Sequence, residues 1–134
     1  MAADHEFGIG ELSQNTGVHI ETVRYYEKIG LLPRPSRTGG GHRIYSHAHL
    51  KRLVFIRRSR EMGFTLDEIR NLLGMAEGGY ACGEVQEAAL AHLKTIRRKI
   101  ADLRRMERTL ADTAARCEGG TAPECPIIDV LSRE

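Results

Sequence analysis

From Cys82 to Arg116 the chain runs thirty-five residues without a proline, and its sole glycine there, Gly83, stands at the start. Helix breakers are thus missing from a segment that, as one helix at about 1.5 Å per residue, makes a rod of about 52 Å. Along it, positions 82, 89, 96, 103, 110 and 117 read Cys, Ala, Ile, Leu, Leu, Cys. Positions 93, 100, 107 and 114 read Leu, Ile, Glu, Ala, while Lys94, Arg97, Arg98, Arg104 and Arg105 occupy the outer faces. A single helix cannot bury such a pair of heptad rows, and a rod of this length outreaches a compact head of about 80 residues. The pattern predicts a second copy packed along the stripe, a homodimer joined by a coiled coil.

The segment before the rod has another character. Residues 1–60 hold ten basic and five acidic side chains, residues 61–134 ten basic and thirteen acidic. A net charge of +2 therefore conceals a basic front, which suits a polyanionic partner, and an acidic back. Ile9 and Leu12, followed by Gly17, describe a short helix from Gly8 to about Asn15. Val23, Tyr26 and Ile29 line one face of a second, from about Ile20 to Ile29, which Gly30, Pro33 and Pro35 close. Ser36 to Gly41 reads as a turn, and His42-Arg43-Ile44-Tyr45 completes a small β-hairpin, a wing beside the helix pair. Ser46 is placed to cap a helix to about Met62, with Leu50, Leu53, Val54 and Arg57 at helical spacing. Thr65-Leu66-Asp67-Glu68 is a capping box that opens a helix through Ile69, Leu72 and Leu73.

The expected fold is all-α with a small β-hairpin wing. A winged helix–turn–helix head, with its connecting helices, occupies residues 1–76, and a linker and dimerisation helix occupy 77–116. A loop and a short closing helix, with Pro126 in its first turn, fill 117–134. No apolar run approaches the roughly 18 residues of a membrane span, and Met1 to Glu6 lacks the basic start and apolar stretch of a secretory signal. A cytoplasmic protein without a membrane partner is expected. Nor is there a Ser/His/Asp set, a carboxylate pair or a Gly-rich phosphate loop, so the residues do not read as those of an enzyme.

Three cysteines, Cys82, Cys117 and Cys125, carry the remaining chemistry. Their odd number argues against a disulfide framework and towards metal binding, redox work or packing. Cys117 and Cys125 bracket a polar loop rich in Gly and Pro, a poor place for packing residues. Cys82 and Cys117 share a heptad row but stand about 52 Å apart on one helix, too far to share an ion. In an antiparallel dimer the start of one helix meets the end of the other, so Cys82 approaches the partner's Cys117 and Cys125. Two equivalent sites, each drawing on both chains, are predicted for an antiparallel coiled coil. Three thiolates without a Cys-x-x-Cys pair suit a soft ion of low coordination better than structural zinc. Glu118 and Glu124 are possible oxygen donors; His92, nearly three turns beyond Cys82, reads as a helix-surface residue. A thiol-based redox regulator, or a metal buffer that does not act on DNA, uses the same cysteines in the alternative reading.

Phe7-Gly8-Ile9-Gly10-Glu11-Leu12 and Thr22-Val23-Arg24-Tyr25-Tyr26-Glu27-Lys28-Ile29-Gly30-Leu31-Leu32 resemble the MerR family of bacterial transcription regulators. His42-Arg43-Ile44-Tyr45 and Gly63-Phe64-Thr65-Leu66-Asp67-Glu68-Ile69 extend the resemblance to nearly the whole chain. The cysteine pattern is similar to that of the metal-sensing members, most of all those that answer mercuric ion. The resemblance implies a homodimer on a palindromic operator within a promoter of unusually long spacer. Metal would make it distort and underwind the DNA so that RNA polymerase can engage both elements and transcribe a metal-resistance operon. It also implies a recognition helix carrying Thr22, Arg24 and Tyr25, with Tyr26, Arg43 and Tyr45 as backbone contacts; Tyr26 could instead be a core aromatic. The seven-residue loop from Cys117 to Cys125, with its Cys-Pro-Ile-Ile exit, is similar to that of the copper, silver and gold sensors. Those sensors carry Ser where Cys82 stands, and the zinc sensors have adjacent cysteines at the loop start. Ligand count outweighs loop length, so Hg(II) is the expected effector, with Cd(II) and Pb(II) next, then Cu(I), and Zn(II), Ag(I) and Au(I) as further alternatives.

Overall fold

The computed structural model describes residues 6–116, 120 and 124–132. Its elements are α1 (Ile9–Thr16), α2 (Ile20–Lys28), β1 (Ser36–Arg37), β2 (Arg43–Ile44), α3 (His47–Glu61), α4 (Leu66–Glu77), α5 (Cys82–Arg116) and α6 (Ile127–Ser132). A mostly helical chain with one small antiparallel hairpin is thus what the sequence yields. The elements fall into two compact units, Met1–Gly78 and Gly79–Glu134.

In the first unit, local chemistry sets the helix ends. Gly17 takes a φ of 74° and donates its amide to the Ser13 carbonyl at 2.9 Å, closing α1 in a conformation that side chains disfavour. The buried Thr16 hydroxyl donates to the Leu12 carbonyl and accepts from the Val18 amide, so the tight turn into α2 leaves neither group unpaired. After α2, Gly30 at φ 77° lets the Leu31 and Leu32 amides both reach the Tyr26 carbonyl. Ser46 caps α3, and His49 closes the capping box by accepting the Ser46 amide on Nδ1. That places the ring proton on Nε2, which donates to the Pro33 carbonyl at 3.0 Å. At α4, Thr65 and Glu68 exchange the reciprocal bonds read from the sequence, at 2.9 and 3.1 Å.

These ends aim apolar faces at one core, built from Phe7, Leu12, Val23, Tyr26, Leu31, Leu32, Tyr45, Leu53, Ile56, Ile69 and their neighbours. On α3 the inward face is Leu53, Ile56 and Ser59 rather than Val54 and Arg57, which are half-buried. The hairpin also differs from expectation: Ser36 and Arg37, read as turn, form β1, in register Ser36↔Ile44 and Arg37↔Arg43. Gly41 at φ 84° makes the reversal, with the Gly41 amide on the Thr38 carbonyl and the Thr38 amide on that of His42. Tyr45 then leaves the hairpin and pairs with Phe7 by two backbone bonds of 2.8 Å, tying the wing to the start of the chain.

The second unit is α5 with α6 packed against it. None of the thirty-five α5 residues is buried. Ala89, Leu93, Ile96, Ile100, Leu103, Glu107, Leu110 and Ala114 all lie exposed, Leu103 at 65%. Pro126 stands one residue ahead of α6 rather than in its first turn, and its carbonyl accepts from Val130 at 3.0 Å. Among the described residues no helix is long and apolar enough to cross a membrane.

Candidate nucleic-acid and metal sites

The outward face of α2 carries Arg24 and Tyr25, the latter half exposed. The hairpin brings Arg37 and Arg43 to the same place, and Lys28 and Arg34 complete an open cleft of about 270 Å³. Among the described residues, five cations therefore surround a cleft lined by a single carboxylate, that of Glu27. Like charges held this close gain from an anion between them, and a phosphate backbone supplies anions at regular spacing. Of the residues expected to meet DNA, Arg24 and Arg43 share this cleft. Thr22 is half-buried and lines a separate one with His19, Arg57 and Arg60.

Two tyrosines come out differently from the expected backbone contacts. Tyr26 has its ring in the core and is only 8% exposed, its centroid 6.1 Å from that of Tyr25. Tyr45, expected at the DNA backbone, is instead fully buried in this chain, and its hydroxyl donates to Glu27 Oε1 at 2.9 Å. Burial, then the bond to Glu27 and its charge, hold the Tyr45 hydroxyl well above the usual tyrosine range, with Arg43 and Arg24 opposing weakly. Tyr45 is the post on which Glu27 rests, and Glu27 Oε2, also buried, has no hydrogen-bond partner among the described residues.

Sequence reasoning missed Lys28, Arg34, Arg37 and Glu27. The signal for Glu27 and Lys28 was available, since positions 24, 27 and 28 share one helical face. Arg34 and Arg37 needed the fold of the hairpin. Conversely, two cations are structural. Arg52 Nε donates to the Leu31 carbonyl and an Arg70 guanidinium nitrogen to that of Ile29, both at 2.8 Å. They satisfy carbonyls where α2 ends, and Arg52 also pairs with Glu77.

Cys82 begins α5, and both it and Cys125 are exposed, unbridged thiols. Cys117 lies outside the described residues, as does Glu118; Glu124 is exposed. Cys125 is returned to the far end of α5, where Thr113 Oγ1 stands 3.5 Å from its Sγ. Thirty-one residues of helix, about 46 Å, separate Cys82 from Thr113. Among the described residues, no three His, Cys, Asp or Glu side chains gather closely enough to hold a metal. Cys82 and Cys125 therefore cannot hold one ion within a single chain.

Residues 7–76 match the sequence profile described as MerR HTH family regulatory protein, and residues 50–113 match that described as MerR, DNA binding. The mercuric resistance operon regulatory protein of Bacillus cereus is 46% identical over 131 residues, 96% of this chain and 99% of that protein. The lead(II) complex of the transcription regulator PbrR691 from Ralstonia metallidurans CH34 is 43% identical, with a TM-score of 0.57 over 94% of this chain and 99% of that one. The mercury(II) complex of the dual function transcriptional regulator MerR from Bacillus megaterium MB1 is 41% identical, with a TM-score of 0.51 over 95% of this chain and 100% of that one.

Proposed function

The chain belongs to the MerR family of helix–turn–helix transcription regulators, and on that premise we propose that it is a cytoplasmic homodimer that binds a palindromic promoter operator and activates a metal-resistance operon when Hg(II) binds. The observation that carries the reading is the pairing of an uncovered apolar row on α5 with thiols at its two ends. An antiparallel partner covers the row and brings Cys82 beside the partner's Cys117 and Cys125. Cys82 of one chain with Cys117 and Cys125 of the other would hold the ion, and that shared ligation would favour one dimer geometry over another, as any effector must. The head does the rest: Arg24 and Arg43 hold phosphates or a base edge, Tyr25 and Thr22 face the groove, and the wing fixes the angle of α2. Distorting the operator costs a few kcal/mol, within reach of such contacts, and realigns the promoter for RNA polymerase.

Pb(II) is the competing effector, favoured by the 43% identity to the lead-bound regulator. Three thiolates suit both ions.

Subunits carrying Cys82→Ser, mixed with subunits carrying Cys117→Ser and Cys125→Ser, should regain one Hg(II) site per heterodimer in a titration, while each pure variant loses affinity. Heterodimers that bind no better than the pure variants would sink the shared site. In the same preparations Arg24→Ala should weaken operator binding, and a normal footprint would remove α2 from recognition.

A further inference from the structure

Thr113 is a residue for which neither the DNA-reading head nor the three thiols gives a role, yet it stands against one of those thiols. It sits in the last turn of α5, half-buried, and its hydroxyl reaches the side chain of Cys125. The hydroxyl donates to the Thr109 carbonyl at 2.8 Å and lies 3.5 Å from Cys125 Sγ. One proton thus has two acceptors within reach. The hydroxyl hydrogen can swing about the Cβ–Oγ1 bond from one acceptor to the other without moving the oxygen, and the carbonyl of Thr109 is already engaged in the helical ladder.

We propose that Thr113 is a positioning residue for the metal site, its hydroxyl turning from the Thr109 carbonyl to Cys125 Sγ and holding that sulfur in place when it ligates a soft cation. This rests on the reading of Cys125 as a ligand. A thiol hydrogen-bonds only weakly, whereas a ligating thiolate keeps lone pairs that accept hydrogen bonds, so the same hydroxyl has more to gain once metal is bound. Outer partners of this kind orient first ligands and tune affinity. Cys125 lies outside any helix and two residues before α6, where this hydroxyl gives its sulfur a partner, whereas Cys82 is seated on α5 itself. The hydroxyl also links the Cys125 sulfur to α5.

The test is Hg(II) titration of the full-length dimer against a competing small thiol, read by the thiolate-to-mercury charge-transfer absorption. Thr113→Val keeps the shape and removes the donor. It should lower apparent affinity about 10–100-fold and shift the charge-transfer band, with operator binding by the metal-free dimer unchanged. Thr113→Ser should restore both. In a Cys125→Ser background, Thr113→Val should add less than twofold. Wild-type affinity and band in Thr113→Val, or no rescue by Ser, would overturn the positioning role. If Cys125→Ser itself binds Hg(II) like the wild type, the ligand assignment beneath it fails instead.

Discussion

The two halves of this molecule solve the burial problem in opposite ways. The head, some seventy residues, closes a core of its own in which Leu12, Val23, Tyr45, Leu53, Ile56 and Ile69 are fully covered. The long helix, with thirty-five residues, covers none of its own, and leaves Leu93, Ile96, Ile100, Leu103 and Leu110 in water. One half buries its apolar residues within a single chain, while the other leaves an apolar row uncovered, the surface on which the proposed partner would pack. The comparison teaches where a signal can enter. A packed core is insensitive to small ligands, whereas the proposed interface along α5, with a thiol near each end, would respond to whatever those thiols bind.

The sharpest way to break this contrast is inside the head. Ile56→Ala empties a fully buried position and should cost about 2–5 kcal/mol, seen as a lower midpoint in denaturant melts at any protein concentration. A loss below 1 kcal/mol would mean the head is not the self-sufficient half.

A smaller effect lies at the joint between wing and recognition helix. Tyr45→Phe removes the donor to Glu27 and leaves a buried carboxylate oxygen unserved, at a cost of about 1–3 kcal/mol, with weaker operator binding as Arg24 and Arg43 lose their common frame. The raised Tyr45 pKa gives this joint a pH signature. The folded state favours the neutral phenol, so the stabilisation is complete below about pH 10, the ordinary tyrosine value, and fades as pH rises beyond it. Melting of the wild type from pH 8 to 11 should show that loss, and the Phe variant should lack it. Parallel curves for the two proteins would discount the bond.

The least change is expected from Leu103→Ala. At high dilution its effect on head melting should stay within about 0.5 kcal/mol, since the side chain is 65% exposed. Sedimentation equilibrium should nonetheless show weaker self-association. An unaltered dimer constant would take Leu103 out of the interface and sharpen where on α5 the seam runs.

Some of this was legible before any coordinates. Periodic residues and local caps act over four or five positions, so the helix–turn–helix, the Thr65–Glu68 box, the Gly17 and Gly30 ends and the length of α5 could all be read directly. The thiols could be found because cysteine is chemically distinct wherever it stands.

Other features depended on neighbours far along the chain. The resemblance made Tyr45 a DNA contact, but its pairing with Phe7 turns the ring inward and hands its hydroxyl to Glu27. Arg52 and Arg70 are only two more positive charges in the sequence, yet they serve the carbonyls that follow α2, which lie 21 and 41 residues away. Arg34 and Arg37 join the cation cleft only because the hairpin folds back beside α2. Thr113 acquires a neighbour in Cys125 only when the loop returns. Local order was written in the sequence because its hydrogen bonds close within a turn or two of helix. Which charges face a ligand and which face the protein was decided by tertiary packing, since burial and long-range pairing, not residue type, fix where a side chain's counter-charge lies.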